Sequence, residues 1–114
     1  MKGKDAKPTM PQFDVYTNPT AAQREAFPYF VVLQSDQLSQ FSTRFVMPLA
    51  RVTLPPGVLP RRLSQTVEVA GEKLFLAPQL CAALPERLLR KPVQSLKQSA
   101  SVFADSLDAV ISGV

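Results

Sequence analysis

Hydrophobic and polar residues follow different rhythms along this chain. From Gln12 to Tyr16 they alternate, with Phe13 and Val15 on one side and Asp14 and Tyr16 on the other, which predicts a half-buried strand. Tyr29 to Leu33 is continuously apolar and rich in β-branched and aromatic residues, the pattern of a central strand covered on both faces. Thr43 to Leu54 is a second such stretch, carrying Phe45, Val46, Met47, Leu49 and Val52. Pro48 inside it removes a backbone donor, so a bulge or bend is expected there. Gln65 to Val69 and Lys73 to Ala77 predict a hairpin turned at Ala70-Gly71-Glu72. Pro78, Pro85 and Pro92 punctuate the next stretch and leave room for one short strand, Glu86 to Arg90.

From Ser95 the spacing becomes helical. Ser99, Phe103, Leu107, Val110 and Ile111 recur three or four apart and predict the buried face of a helix, with Ser101, Asp105 and Asp108 on other faces. Gly113 suits its end, because glycine accepts the left-handed closing turn. Between these elements, Thr17 to Phe27 with Asn18-Pro19 reads as loop, and Pro55-Pro56-Gly57 with Pro60 as a stiff connection. Several short strands followed by one terminal helix predict a mainly β fold, a small barrel or open sheet with the helix packed against it.

The 114 residues are enough for one domain with a modest core. Apolar residues make up 46% and charged residues 19%, a globular rather than a disordered balance. Residues 1–9, lysine-rich and without apolar periodicity, are expected to form an arm, and residues 10–114 the folded domain. The longest apolar run, Tyr29 to Leu33, is far short of the roughly 20 residues that cross a bilayer. Lys2, Lys4 and Lys7 are followed by no apolar stretch of the signal-peptide kind. Cys81 is the single cysteine, so nothing calls for an oxidising compartment. A cytoplasmic protein is expected.

The net charge of +4 sits unevenly, since Lys2, Lys4, Lys7 and Asp5 account for +2 of it. Elsewhere the basic clusters are Arg61-Arg62 and Arg87, Arg90, Lys91, without interleaved aromatics for base stacking, which argues against direct nucleic-acid recognition. Catalytic chemistry has few candidates. The chain contains no histidine, so neither a Cys/His zinc site nor a Cys-His or Ser-His nucleophile can be assembled. Asp105 and Asp108, three apart on a helix, read as a solvated face rather than a divalent-ion site. Cys81, between Leu80 and Ala82-Ala83, reads as a small buried hydrophobe. No metal, cofactor or enzymatic activity is expected.

Several stretches then agree with one family. Gln12-Phe13-Asp14-Val15-Tyr16-Thr17 resembles the opening strand of CcdB toxins. Tyr29-Phe30-Val31-Val32-Leu33-Gln34-Ser35-Asp36 resembles their second strand, which ends in Val-Gln-Ser-Asp. Arg44-Phe45-Val46-Met47-Pro48-Leu49 resembles their Arg-x-Val-Ile-Pro-Leu strand, internal proline included. The likeness runs from Met10 to Val114, and Met10 stands where family members normally begin.

The resemblance implies an SH3-like small barrel with a C-terminal helix, of the CcdB/MazF kind, paired as a two-fold homodimer. It also implies a toxin of a type II toxin–antitoxin system. Such a toxin binds the GyrA component of DNA gyrase, holds the enzyme on cleaved DNA, and is neutralised by a CcdA-like antitoxin. DNA would be met only through the antitoxin or gyrase complex, including repression of the operon. Carried over by position, the gyrase-facing tip is Asp108, Ser112, Gly113 and Val114. Many members have Asn where Asp108 stands, Trp where Ser112 stands and Ile where Val114 stands. Two alternatives stay open: a non-toxic relative that keeps the antitoxin surface, and a MazF-type endoribonuclease using Arg61-Arg62.

Overall fold

The structure, a computed structural model, describes residues 11–36, 41–52 and 64–112. The expected arm, the proline-rich connection at 55–60, Arg61-Arg62, Gly113 and Val114 lie outside the described residues. Seven strands form one sheet: β1 (Asp14–Thr17), β2 (Tyr29–Val32), β3 (Thr43–Ala50), β4 (Thr66–Val69), β5 (Glu72–Leu76), β6 (Ala82–Pro85) and β7 (Pro92–Ser95). Among the described residues one α-helix, α1 (Ala100–Ser112), follows. The strand order is β4-β5-β3-β2-β1-β7, with β6 also paired to β3. The result is the expected mainly β architecture, a half-barrel sheet with a C-terminal helix.

β3 is the longest strand and serves three partners. Along one edge it pairs with β2 in unbroken register, from Val32 opposite Val46 to Tyr29 opposite Leu49. Along the other edge Thr43 to Val46 pair with β6, whereas Leu49 and Ala50 pair with β5. Pro48 therefore causes no bulge against β2. Its missing N–H falls where the other edge changes partner, and its carbonyl accepts a bond from the Ala77 N–H at 3.1 Å. The irregular register lies elsewhere, between β1 and β7, where Tyr16 faces Pro92 and Val93 has no opposite residue.

The side chains of the sheet divide between two clusters. Val15, Val31, Met47, Leu49, Val69, Leu74 and Phe103 are buried in the larger one. Tyr16, Val32, Val46 and Leu89 form the smaller one on the opposite face. β1 is thus covered on both sides rather than half-buried, and β2 is the doubly covered strand its apolar run predicts. The end strands β4 and β7 are joined by a side chain. Gln94 accepts from the Ala70 N–H at 3.0 Å and donates to the Glu68 carbonyl at 3.2 Å.

Two predicted elements are corrected. Glu86–Leu88 is a 3₁₀ turn, and the strands of that region are β6 before it and β7 after it. The turn is fixed by a charge. Arg44, 1% exposed, pairs with Glu86 at 2.8 Å and donates to the carbonyls of Thr43 and Phe41. In α1 the buried residues are Phe103, Ser106 and Ala109, while Val110 and Ile111 are exposed. The packed face is turned by roughly a quarter of a revolution from the one the large side chains suggest. Ser106 and Ala109 are small enough to bring the helix close, and the Ser106 hydroxyl donates to the Phe103 carbonyl at 2.9 Å.

The β4–β5 hairpin is tighter than expected. Val69 faces Glu72, leaving Ala70 (φ 53°) and Gly71 (φ 82°) as a two-residue turn of type I′. Ala70→Asn should raise stability by about 0.5–1 kcal/mol, because asparagine tolerates the left-handed region better. Gly71→Ala should lower it by about 1 kcal/mol through strain alone, since nothing lies within 4 Å of an added Cβ. Thermal melts of the two variants should move in opposite directions. Glu86→Ala, which leaves the buried Arg44 charge without its carboxylate, should cost roughly 2–4 kcal/mol in urea titrations. Arg44→Met combined with Glu86→Leu should cost less than that single change.

Candidate functional site

The end of α1 is presented by a root held in the core. Ahead of β1, Phe13 occupies a turn closed by the Asp14 N–H on the Pro11 carbonyl at 3.1 Å, with φ 73°. That conformation is strained for an aromatic residue, so the surroundings must hold it. They do so on three sides. The Phe13 N–H donates to the Val32 carbonyl at 2.6 Å, its carbonyl accepts from the Leu96 N–H at 2.8 Å, and its ring stacks on Phe103 at 5.7 Å. The entry to the first strand thereby fixes the entry to the helix. Leu96 is buried, and the short 3₁₀ turn Lys97–Ser99 leads into Ala100. Gln65 adds a polar tie by donating to the Asp105 carboxylate at 2.8 Å.

Beyond Ala109, the last buried residue of the helix, everything described is exposed. Asp108 and Ser112, both assigned to the tip from the sequence, lie four apart and share a face. Ile111 stands between them and is 83% exposed. The sequence pattern places Ile111 in the core with Phe103 and Leu107; the structure brings it to the tip instead. The signal for this lies in the small residues Ser106 and Ala109, which share the three-residue spacing of Phe103.

The described residues offer little machinery for bond chemistry. They contain no group of three or more carboxylate or cysteine side chains able to hold a metal ion. Cys81 packs half-buried against the larger cluster, and burial pushes its thiol up to about 11. A thiol held there is almost entirely protonated at neutral pH and makes a poor nucleophile. No described helix is long and apolar enough to cross a membrane.

The second constellation is a cleft of about 550 Å³ lined by Thr17, Asn18, Arg24, Leu88, Arg87, Arg90 and their neighbours. The sequence pattern groups Arg87, Arg90 and Lys91 but not Arg24, which arrives from the β1–β2 loop. Asn18 organises that loop, donating to the Phe27 carbonyl and accepting from the Thr20 N–H, both at 2.9 Å.

Comparison with solved structures gives the fold relatives. Two crystal structures of MazE–MazF from Deinococcus radiodurans, forms I and II, superpose with TM-scores of 0.62 and 0.61. They cover 94% and 93% of this chain and 99% and 98% of the matched chains, at 12% and 11% identity. At such identity the likeness concerns the fold. No match is found among curated proteins. A family model described as CcdB protein matches residues 12–113, which takes in every described strand and the helix. The chain is a member of the CcdB family.

Proposed function

We propose that the chain is the toxin of a toxin–antitoxin pair and acts by binding rather than by catalysis. In this reading the end of α1 engages the GyrA component of DNA gyrase and holds the cleaved gyrase–DNA complex, and a CcdA-like antitoxin reverses it. The toxin–antitoxin assignment rests on family membership and on the fold shared with the MazF of a MazE–MazF complex. The exposed face of Asp108, Ile111 and Ser112, on a helix rooted in the core, carries the gyrase reading.

Magnitudes favour Ile111 as the anchor. Full burial of one isoleucine contributes about 1.5–3 kcal/mol, comparable with the roughly 2 kcal/mol typical of an interface aromatic. A chain with Ser112 in place of the family's tryptophan can thus keep an apolar contact one residue earlier. Asp108 adds a carboxylate one turn away, suited to a guanidinium on the partner.

A two-fold homodimer belongs to the same reading. Phe41, Phe45 and Leu80 are exposed, and an apolar groove of about 390 Å³ runs past Phe27, Phe30, Leu80 and Leu84. One small half-barrel leaves this surface uncovered, and a second copy is the occupant that a two-fold arrangement supplies.

The reading is tested by incubating the protein with gyrase, supercoiled DNA and ATP and then denaturing. Linear DNA is expected. Removal of Gly113 and Val114 should abolish it, and Ile111→Ala should weaken trapping about tenfold, both with unchanged melting. Ser112→Trp should strengthen trapping by restoring a cation–π contact of about 0.5–2 kcal/mol. Trapping at the intact level by both the truncated protein and the Ile111→Ala variant would remove the tip as the site. No cleaved complex at all would leave the non-toxic relative as the reading. An RNA substrate in parallel tests the endoribonuclease alternative, whose Arg61-Arg62 lie outside the described residues.

For the dimer, light scattering at micromolar concentration should give twice the 12.5 kDa chain mass. Phe45→Asp with Leu80→Asp should shift it to monomer. A single 12.5 kDa species from the unaltered protein would overturn the two-fold arrangement.

A further inference from the structure

The basic cleft has no role in the tip, the core or the dimer groove. Four cations reach it from two separated segments, Arg24 from the β1–β2 loop and Arg87, Arg90 and Lys91 from the stretch between β6 and β7. All four are exposed, and no carboxylate lines the cleft. Glu86, the acid of that stretch, is committed to Arg44 on the buried side. Arg87, Arg90 and Lys91 make no ion pair among the described residues. Four cations in one concavity without a carboxylate raise the local positive potential and favour an anionic occupant.

The cleft is also partly organised in advance. Arg24 donates through Nε to the Asn18 carbonyl at 2.6 Å and through Nη2 to the Pro19 carbonyl at 3.4 Å. This holds the guanidinium in place while its remaining donors stay available. Asn18 is fully buried and fixed by its own two bonds, so the anchor is rigid.

We propose that this cleft binds an acidic peptide segment of a partner protein, with its carboxylates on Arg24, Arg87, Arg90 and Lys91. Three observations favour a peptide over nucleic acid. No aromatic side chain lines the cleft, so unpaired bases would find no stacking platform. The charges are gathered in one concavity rather than spread along a track that a phosphate backbone would follow. Leu88 and Pro19 give the lining apolar surface that suits the aliphatic stems of a peptide. Arginine forks pair with carboxylates through two parallel bonds, so several such pairs fix a segment that is otherwise unstructured. The cleft shares no residue with the helix end, and the proposal stands without the gyrase reading.

The probe is a short labelled peptide of alternating glutamate and alanine, followed by fluorescence anisotropy at physiological ionic strength. Binding to the full chain is expected. Arg87→Glu with Arg90→Glu should weaken it about tenfold or more. Lys73→Glu with Lys97→Glu changes the net charge equally at exposed sites outside the cleft, and should change binding by about twofold at most. The neutral pair Arg90→Gln with Lys91→Gln should give an intermediate loss, and thermal melts confirm that each variant is folded. Equal loss in the cleft and control variants would mean attraction to net charge alone and would overturn the proposal. So would the absence of peptide binding to the unaltered protein. A single-stranded oligonucleotide of equal charge that binds more tightly and displaces the peptide would overturn the peptide assignment in favour of nucleic acid.

Discussion

The fold turns on the exchange of partners along one edge of β3. A strand that paired with a single neighbour over its whole length would extend a flat sheet, and this one changes neighbour near Pro48. Proline suits the junction because it has no N–H to leave unsatisfied there. Its carbonyl still bonds to Ala77, which ties the end of β5 to the place where β6 takes over. Since β2 keeps its register along the opposite edge, β5 and β6 diverge from a common support. The sheet then encloses one cluster and exposes the other face to the turn at Glu86–Leu88, where Arg44 anchors the return. Burying a charge there is costly unless it is paired, which makes Glu86 a structural requirement.

That geometry decides where the helix can go. Phe13, held at positive φ by bonds from β2 and Leu96, is the common point of the first strand and the last element. With its ring on Phe103, the helix root is locked by residues that lie far away in sequence. Contacts of this kind fix an angle better than a flexible linker does, because both the backbone and the ring are constrained. Support ends at Ala109, and the last turn projects. A binding surface on such a turn is pre-organised, so little ordering entropy is lost when a partner closes on it.

Much of this was legible in the sequence, for a reason visible in the bonds. The stretches that resemble CcdB toxins touch one another. Gln12 donates to the Leu33 carbonyl and to the Asp36 carboxylate, and Gln34 accepts from the Phe45 N–H. β1 to β5, the hairpin and the helix followed from periodicity and turn residues, whereas β6 and β7 did not. What failed had local signals that tertiary contacts overrode. The prolines around Glu86 to Arg90 left room for a short strand, yet Arg44 draws Glu86 into a turn. In α1 the largest apolar residues suggested the buried face, whereas Ser106 and Ala109 allow the closest approach. Arg24 is remote from Arg87 in sequence, so no reading of charge runs could have joined them across the cleft.

The two surfaces left over have opposite physical characters. The helix end offers an apolar side chain and a carboxylate, and a partner closing on it would gain mainly from burial, which salt barely affects. The cleft offers cations at solvent-exposed positions, and its contribution is screened within a Debye length of about 8 Å at physiological ionic strength. A charged partner would be drawn quickly to the cleft, while dissociation from the helix end would be set by how well Ile111 is enclosed. Because α1 is rooted in the larger cluster and the cleft is lined by none of that cluster's residues, occupation of either surface need not distort the other. On one rigid domain, a persistent apolar contact and a rapidly exchanging acidic one would then form side by side without competing.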